Sequence, residues 1–430
     1  MSSRPPGRPC TAAGTAVGAA IGSARPLGIS SRLVCGLVLA LCACDRMLPT
    51  TLPDGWLYVT GVTPTSAIVV WTGEPGAGVG CRDAAGNHRR GDATIRSSGL
   101  RYVRLADLQP DTAYRCRLEP DHGGRRDGGR RLRFRTAPAT APPASAAPFT
   151  FAAIGDTGDG SATAATLARR VLAGRPRFLL HLGDLAYPEA TAARLDERFF
   201  RPYRRLLARV PLFPTPGNHD LSRSQIYREV FAPVYHAGDA AGLCYWFDWG
   251  DARLLSGSFA ELARDDGAGR TWLAAALDAA RPRPWRIVFL HEPPFTTSIK
   301  GTVPGLGRKL QWVLETGRVD LVLAGHAHMY ERATLACTAV PAARVLTLIS
   351  GGGGDASLER PRPHPNFPRA RAVPHYLRVR VGPEMIEARA IGARGQTFDR
   401  VRHTHDPEAP CVARGWWWQP PAWSADPGAR

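Results

Sequence analysis

Five short segments of the sequence each end a predicted strand and carry side chains that can bind metal ions. They are Ile154–Gly158, Leu182–Tyr187, Pro216–Asp220, Val288–His291 and Ala324–His328. A single Gly-Asp pair, or a single histidine after a strand, is usually an ordinary loop feature. Five such segments in one chain, which together supply carboxylates, imidazoles, an amide and a phenol, predict a metal site instead.

The donor types predict two metal ions and phosphoryl-transfer chemistry. Two ions about 3.5–4 Å apart can hold the attacking and the leaving oxygen of a phosphate displacement, and one of them acidifies the attacking water. Oxygen donors from Asp and Tyr favour Fe(III), whereas imidazole and amide donors suit a divalent Zn, Fe or Mn ion. The seven candidate ligands are Asp156, Asp184, Tyr187, Asn218, His291, His326 and His328.

The five segments resemble the motifs of the calcineurin-like metallophosphoesterases and, within them, those of the purple acid phosphatases. The patterns are D-x-G, G-D-x-x-Y, G-N-H-D/E, V-x-x-H and G-H-x-H, and all five are present. The wider superfamily has D-x-H as its first motif. Here Gly158 stands at that histidine position, and Tyr187 follows Asp184 where a compensating ligand is expected.

The resemblance implies a role for each donor. One iron ion would be held by Asp156, Tyr187 and His328. The second metal would be held by Asn218, His291 and His326, and Asp184 would bridge the two ions. Tyrosinate bound to Fe(III) would give the protein a purple colour, and a trivalent metal can enforce the ionisation of Tyr187.

Three further residues lie close to these ligands in the sequence. The resemblance implies that His219 stabilises the transition state or protonates the leaving group, and Asp220 is placed to orient it. Family members usually carry a substrate-facing histidine about nine residues beyond His291, where this chain has Lys300. Lys300 either contacts the substrate phosphate as a compact cation or is a solvated loop residue.

The elements that must position these residues are strands that end just before each segment. Apolar strands alternate with amphipathic helices after Phe149, which predicts an α/β architecture whose loops at the strand carboxyl ends form the site. The candidate strands are Phe149–Ile154, Phe178–Leu182, Trp285–Leu290, Leu321–Ala324 and Arg344–Ile349, with a closing hairpin of Tyr376–Val381 and Met385–Ile391. The candidate helices are Ala162–Leu172, Ala192–Ala208, Trp272–Ala280 and Lys309–Thr316.

The composition along the chain predicts several domains. Residues 45–136 contain short alternating strands that predict a small all-β sandwich, and Leu108–Tyr114 resembles a fibronectin type III segment. A Pro/Ala linker at 137–148 precedes the catalytic domain at 149–402, for which the resemblance implies a layered α/β/β/α sandwich. An arginine cluster at 125–135 either binds a polyanion or is a solvated hairpin, and the Trp-rich tail at 403–430 has no assigned role.

The N-terminus predicts export. Residues 1–44 have a basic start followed by the uncharged run Leu33–Cys44, which is too short to span a bilayer. Cys44 ends a segment that resembles a bacterial lipobox, and ordinary signal cleavage is the alternative. The protein is therefore expected to be periplasmic, a membrane-anchored lipoprotein or secreted. In an oxidising compartment Cys81 and Cys116 are the best disulfide pair, and a Cys244–Cys337 pair is a guess.

The charge balance argues for anionic substrates rather than for nucleic acid. The chain has 55 basic and 37 acidic residues, a formal net charge of +18, but Lys300 and Lys309 are its only lysines. An arginine, alanine, glycine and proline bias of this kind indicates codon usage rather than a dedicated nucleic-acid surface. A positive field would still attract phosphate esters.

These features predict an exported dinuclear-metal phosphohydrolase, an acid phosphatase that cleaves phosphomonoesters with a metal-bound hydroxide. One alternative is a phosphodiesterase on the same centre, because the motifs do not separate monoesters from diesters. The other is a non-catalytic surface binding protein whose β-sandwich and tryptophan tail are the working parts.

Overall fold

The computed structural model of the 430-residue chain describes residues 51–73, 76–120, 129–140, 147–231, 243–336, 344–354 and 357–404. The predicted export segment, Cys337 and residues 405–430 lie outside these ranges. The Cys244–Cys337 pair and a role for the tryptophans therefore stay predictions. None of the helices in the described ranges combines the length and the apolar character needed to cross a membrane.

The N-terminal region is all-β, as predicted, and consists of two four-stranded antiparallel sheets in the orders β1-β2-β6-β5 and β4-β3-β7-β8. Its strands are β1 Leu57–Thr60, β2 Ala67–Trp71, β3 Gly76–Arg82, β4 His88–Asp92, β5 Thr94–Ile95, β6 Arg101–Leu105, β7 Ala113–Pro120 and β8 Arg131–Arg135. The predicted Cys81–Cys116 disulfide is confirmed and joins β3 to β7. The fibronectin type III assignment stays a prediction.

The region of the predicted catalytic domain at 149–402, called the catalytic region from this point, contains two larger sheets. The first has the order β11-β10-β9-β19-β20-β21, and the second has the order β12-β13-β14-β15-β17-β16-β18. The strands are β9 Phe149–Ile154, β10 Leu179–His181, β11 Leu212–Pro214, β12 Tyr245–Trp249, β13 Ala252–Gly257, β14 Trp285–Leu290, β15 Leu321–Ala324, β16 Tyr330–Ala336, β17 Arg344–Ser350, β18 Arg369–Arg371, β19 His375–Val381, β20 Met385–Gly392 and β21 Thr397–Thr404.

Aromatic side chains join the two sheets face to face. Phe213 of the first sheet stacks on Phe247 of the second with ring centroids 3.8 Å apart, and Phe178 lies 4.7 Å from Trp249. All four residues are buried in one apolar core. Burial of aromatic rings on this scale dominates the energetics of a core, so the two sheets form a tightly held sandwich.

Helices cover the outer faces of the sandwich, which completes the predicted layered fold. They are α1 Ala162–Ala173, α2 Ala192–Leu195, α3 Arg201–Leu207, α4 Asn218–Leu221, α5 Ser224–Phe231, α6 Phe259–Ala263, α7 Ala268–Asp278 and α8 Leu306–Thr316. Helix α1 begins after Ser161, whose hydroxyl accepts a hydrogen bond from the N–H of Ala164, and it buries Leu167 and Val171. A second apolar cluster fills the space between the second sheet and α6–α8.

The N-terminal sheets pack directly on the catalytic region. Trp56 stacks on Phe200 at 4.0 Å, and its indole N–H donates to the Asp196 carboxylate at 3.1 Å. The hydroxyl of Thr60 donates to the carbonyl of Leu212 at 2.6 Å. These side chains belong to a buried interface, so the N-terminal strands are fixed against the elements that lead to the first sheet.

The structure differs from the predicted elements at several places. The helix predicted over Ala192–Ala208 is interrupted by a π-helical turn at Asp196–Phe200 between α2 and α3. Strands β11, β12, β13, β16, β18 and β21 and helices α4, α5 and α6 were not predicted. Strand β21 extends the expected closing hairpin to three strands that run through His403. The residues of β21 are mostly polar and exposed or partly buried, so the strand has little apolar signal in the sequence.

Candidate metal centre

The seven candidate ligands lie where the carboxyl ends of the two sheets meet. The first sheet supplies Asp156 after β9, Asp184 and Tyr187 after β10, and Asn218 after β11. The second sheet supplies His291 after β14, and His326 and His328 after β15. Parallel strands β9, β10 and β11 point the same way, as do β14 and β15, so the five loops converge.

Unusual backbone geometry turns these side chains inward. Asp156, Asp184 and His326 all have positive φ angles, of 60°, 58° and 68°, a region that non-glycine residues seldom occupy. Close approaches require glycine next to them. A Cβ atom on Gly217 would lie 2.1 Å from Asp184 Oδ1, and one on Gly325 would lie 2.6 Å from Asp156 Oδ2. The glycines of the motifs therefore make room for the carboxylates.

The first group of donors is Asp156, Tyr187 and His328. The Tyr187 hydroxyl lies 3.1 Å from Asp156 Oδ1 and 3.0 Å from His328 Nε2. His328 Nε2 is in turn 3.4 Å from Asp156 Oδ1, so the three donor atoms form a tight triangle. The other oxygen of Asp156 accepts a hydrogen bond from the His326 N–H at 2.8 Å, which orients the carboxylate.

The second group is Asn218, His291 and His326. The amide oxygen of Asn218 lies 3.0 Å from His291 Nε2 and 3.2 Å from His326 Nδ1. Asp184 Oδ2 is 3.4 Å from His291 Nε2. Asp156, Asp184 and His291 present ligand atoms that all lie within 4.8 Å of one another, so Asp184 connects the two groups.

The chemistry of the second group fits a cation. His291 is fully buried, and its Nδ1 lies 2.7 Å from the carbonyl of Leu182, so Nδ1 carries the proton. Nε2 then directs a lone pair at two other acceptors, the oxygens of Asn218 and Asp184. A metal ion between them satisfies all three, and a ligand histidine whose other nitrogen donates to a carbonyl is the usual arrangement. Without a metal, a proton on Nε2 would take the place of the ion. Burial opposes this protonation, but the charges of Asp184 and Asp156 outweigh it and raise the pKa of His291.

The first group fits a highly charged cation. Burial, together with the nearby Asp156 and Asp184, raises the pKa of Tyr187 well above its ordinary value. Burial also raises the pKa of Asp184, and Asp156 adds to the effect. The phenol therefore keeps its proton unless a strong positive charge takes its place, because buried anions need a compensating charge.

Gly158, the residue that distinguishes the D-x-G pattern, has no space for a side chain. A Cβ at this position would lie 2.5 Å from both the Cα and the N of Ala186. The Gly158 carbonyl accepts a hydrogen bond from the N–H of Tyr187 at 3.0 Å. The segment that carries Tyr187 thus occupies the volume that a histidine at 158 would need, in agreement with the predicted exchange of ligands.

His219 lies beside the ligand groups and is oriented by a residue that the sequence did not indicate. Its Nδ1 is 2.5 Å from the carbonyl of Pro188, its Nε2 is 4.0 Å from Asp184 Oδ2, and its side chain is 35% exposed. The expectation that Asp220 orients His219 is wrong. The Asp220 carboxylate instead accepts the N–H groups of Asp184, Leu185 and Gly217 at 2.8–3.0 Å. Burial raises the pKa of Asp220 to about 7.

A buried carboxylate that sequence reasoning missed connects Lys300 to the centre. Glu359 Oε1 accepts the N–H of the candidate ligand His328 at 3.0 Å and lies 3.7 Å from the ammonium of Lys300. The Lys300 ammonium is also 3.4 Å from the carbonyl of His326. Glu359 lies in an Arg/Pro-rich stretch without a recognisable motif, so nothing in the local sequence indicated it.

Comparisons with known proteins agree with this geometry. The sequence model of the calcineurin-like phosphoesterase family matches residues 149–330. Purple acid phosphatase 22 of Arabidopsis thaliana is 30% identical over 251 residues, which cover 55% of this chain and 54% of the relative. The Fe(3+)-Zn(2+) purple acid phosphatase 12 of the same plant is 27% identical over 255 residues, or 55% of this chain and 52% of the relative.

A solved structure supports the fold. Purple acid phosphatase PPD1 from yellow lupin (Lupinus luteus) seeds superimposes with a TM-score of 0.68 at 15% identity, covering 82% of this chain and 74% of that one. The chain spans about half the length of the curated relatives just named. Residues 149–330 are therefore similar to the calcineurin-like phosphoesterase domain, and the relatives that the chain resembles include purple acid phosphatases.

Proposed function

We propose that the chain is a metal-dependent phosphohydrolase that cleaves phosphomonoesters at a dinuclear centre. The observation that supports this proposal is the convergence of seven donors from five loops, with buried acceptor atoms that face one another. The proposed ligands of an Fe(III) ion are Asp156, Tyr187 and His328. Those of a divalent Zn, Fe or Mn ion are Asn218, His291 and His326, with Asp184 between the two sites.

Bound ions would supply a water-derived nucleophile and neutralise the charge on the phosphoryl oxygens. The chain's own contribution is orientation and proton transfer. Because the Pro188 carbonyl accepts the Nδ1 proton of His219, Nε2 is the atom that faces the centre. A partly exposed imidazole in this position reaches a substrate that enters from solvent, and we assign to it the delivery of a proton to the leaving alcohol.

The substrate class is tested with p-nitrophenyl phosphate and bis-p-nitrophenyl phosphate on the metal-loaded full chain. We expect kcat/KM for the monoester to exceed that for the diester at least tenfold. Faster cleavage of the diester would instead establish a phosphodiesterase on the same centre. Turnover of neither ester by protein that binds two metals per chain would favour the non-catalytic binding protein.

We assign Fe(III) to the site that contains Tyr187 because a phenol with a raised pKa ionises only beside a strong positive charge. A relative is named as an Fe(3+)-Zn(2+) enzyme, which supports the same metal pair. The purified iron-loaded protein should be coloured. The Tyr187→Phe variant should lose the visible absorption band while it retains iron, and a band of unchanged position and intensity would refute the assignment.

We propose that Lys300 contacts the substrate phosphate. Its ammonium lies beside the His326 carbonyl and Glu359 at the edge of the centre, and 35% of the side chain is exposed. The chain offers a matched control, because its only other lysine, Lys309 on α8, pairs with Asp265 at 2.8 Å. Lys300→Ala should raise KM by several-fold, and Lys309→Ala should leave it unchanged. An unaltered KM in Lys300→Ala would identify a solvated loop residue.

We also propose export, with residues 1–44 as the signal, a sandwich domain at 45–136 and the catalytic domain at 149–402. The Cys81–Cys116 disulfide supports an oxidising compartment, since such bonds are rare in the cytosol. Fractionation of cells that produce the full chain tests the proposal. Recovery of the protein from the cytosol alone, with both thiols reduced, would contradict it.

A further inference from the structure

A cavity of about 730 Å³ lies between the N-terminal sheets and the catalytic region. Strands β7 and β8 form one wall. The other wall comes from residues just before β9, β10 and β11 and from β19. The volume is in the range of small-ligand sites, about 300–1,000 Å³, and is too small to enclose a folded partner.

The cavity is rich in arginine. Of the 17 residues that line it, those with a guanidinium group are Arg115, Arg133, Arg135, Arg175, Arg177, Arg209 and Arg378. Arginine makes up roughly one residue in eight of the whole chain, so its share of the lining is about three times the average. None of the described lining residues is acidic. The general arginine bias of the sequence does not explain this concentration.

Two of the arginines oppose each other directly. Arg115 of β7 pairs with Arg133 of β8, and Arg82 of β3 lies opposite Arg115 on the other side. Leu132 and Phe134 face the apolar core, so the arginines of β8 share the outer face. Like charges directly opposite each other in an antiparallel pair are destabilising, and a bound anion would remove that cost.

Internal carboxylates neutralise only part of this charge. Asp111 lies 3.3 Å from Arg135 and 3.8 Å from Arg177. The Nε atom of Arg378 is buried and has no hydrogen-bond partner among the described residues. A buried donor of this kind costs free energy unless an acceptor reaches it. The lining therefore combines repelling cations with an unsatisfied donor.

The cavity is remote from the metal centre. Phe149 and Thr150, at the amino end of β9, line the cavity, whereas Asp156 follows the carboxyl end of the same strand. A strand of six residues spans about 20 Å at roughly 3.3 Å per residue. A ligand in the cavity is therefore not in contact with the metal ligands.

We propose that this cavity binds a small anion that carries several phosphate groups. Guanidinium groups bind phosphate oxygens in pairs of parallel hydrogen bonds, and seven of them from two regions can hold more than one phosphate. The half-enclosed volume selects a compact anion over a polymer. The proposal does not depend on phosphatase activity, because the cavity shares no residue with the metal centre.

The test uses myo-inositol hexasulfate, a compact polyanion without a phosphoester bond, titrated calorimetrically into the full metal-loaded chain. The Arg115→Gln/Arg133→Gln variant removes two charges from the cavity. The matched control, Arg117→Gln/Arg131→Gln, removes the next opposed pair from the same sheet face, outside the cavity. We expect at least tenfold weaker binding in the first variant and less than threefold in the control. The ligand should also raise the Tm of the wild type and not that of the first variant.

Four results would overturn the proposal. Equal loss of affinity in the two variants would indicate unspecific surface attraction. Loss of binding in Asp184→Asn would place the anion at the metal centre. A single-stranded DNA oligonucleotide that binds more tightly than the hexasulfate, and whose affinity falls equally in both variants, would identify an extended nucleic-acid surface. If Arg115→Gln/Arg133→Gln unfolds at a lower Tm than the wild type without ligand, the arginines are structural and the proposal is wrong.

Discussion

The two ends of the first catalytic sheet carry opposite kinds of unbalanced charge. At the carboxyl ends of β10 and β11, oxygens of Asp184 and Asn218 lie 3.4 and 3.0 Å from Nε2 of His291, which follows β14 of the second sheet. At the amino ends of the same strands, arginines face one another, and Asp111 balances only two of them. At neither end do the described residues supply the full counter-charge.

The two ends differ in how the chain builds them. The metal end is held by short local motifs, in which a glycine and a positive φ angle aim each side chain. The arginine end arises only where the N-terminal sheets pack on the catalytic region. Short side chains on tight turns have few accessible rotamers, whereas long guanidinium side chains on two regions have many. We therefore expect substitutions at the metal end to have the larger effects.

The largest effect is expected for Asp184→Asn. Asp184 is buried and links the two donor groups. Loss of its charge should therefore remove one metal and lower kcat by more than about 10²-fold, which exceeds the loss expected when a residue behind a metal ligand is replaced. Metal content and p-nitrophenyl phosphate turnover are measured together. Asp278→Asn, on an exposed position of α7, is the control. Full activity in Asp184→Asn would show that the groups do not share this carboxylate.

A smaller loss is expected for His219→Ala. Removal of a general acid should lower kcat by roughly 10²-fold, with two metals retained, because His219 is not among the ligands. The loss should be smaller for substrates with better leaving groups, which need less protonation. The exposed His88 of β4 provides the control variant His88→Ala. An equal loss for good and poor leaving groups would contradict the proton-donor role.

Gly158→Ala tests whether the segment that carries Tyr187 packs too closely on residue 158 to leave room for a side chain. Because the added Cβ would lie 2.5 Å from Ala186, we expect a loss of about 1–3 kcal/mol in the free energy of unfolding. Denaturant unfolding measures it. Gly382→Ala, whose Cβ would meet only the Met385 carbonyl at 3.5 Å, should be near neutral. A stable Gly158→Ala protein would show that the 185–187 segment moves easily.

The smallest effect is expected for Glu387→Gln. Here a carboxylate neutralises the neighbouring arginines, in contrast to the arginine cavity, whose described lining has no acidic residue. Glu387 accepts hydrogen bonds from Arg389, Arg400 and Arg402, and although burial opposes it these arginines lower its pKa to about 2. The carboxylate therefore stabilises the fold above its ordinary pKa near 4.3, and the contribution disappears as the pH falls toward 2. At pH 7 the variant should lose up to about 1 kcal/mol, and at pH 3 the difference should shrink. A pH-independent difference would indicate lost packing rather than lost charge.

Much of the metal end could be predicted from sequence because each donor lies within a few residues of an apolar strand. The strands Phe149–Ile154, Trp285–Leu290 and Leu321–Ala324 were predicted with their observed bounds, and the motifs followed them. The role of Asp220 was not predictable, since its three partners are backbone N–H groups of loops that meet only in the fold. Glu359 was missed for the same reason.

The arginine end could not be predicted. Its residues extend from Arg115 to Arg378, and the sequence left the cluster at 125–135 open between a solvated hairpin and a polyanion site. Only the pairing of β7 with β8 places Arg115 opposite Arg133, and only the packing of two regions brings Arg378 to the same cavity. Such a site depends on tertiary structure, which periodicity does not reveal.

The most direct test of the account is the metal stoichiometry of the full chain after loading with iron and zinc, measured by mass spectrometry together with protein concentration. A dinuclear centre should hold two ions per chain, of which one is iron, and fewer than two in Asp184→Asn. One ion or none in the wild-type protein, under conditions in which it is folded, would contradict the claim that the seven donors form a dinuclear centre.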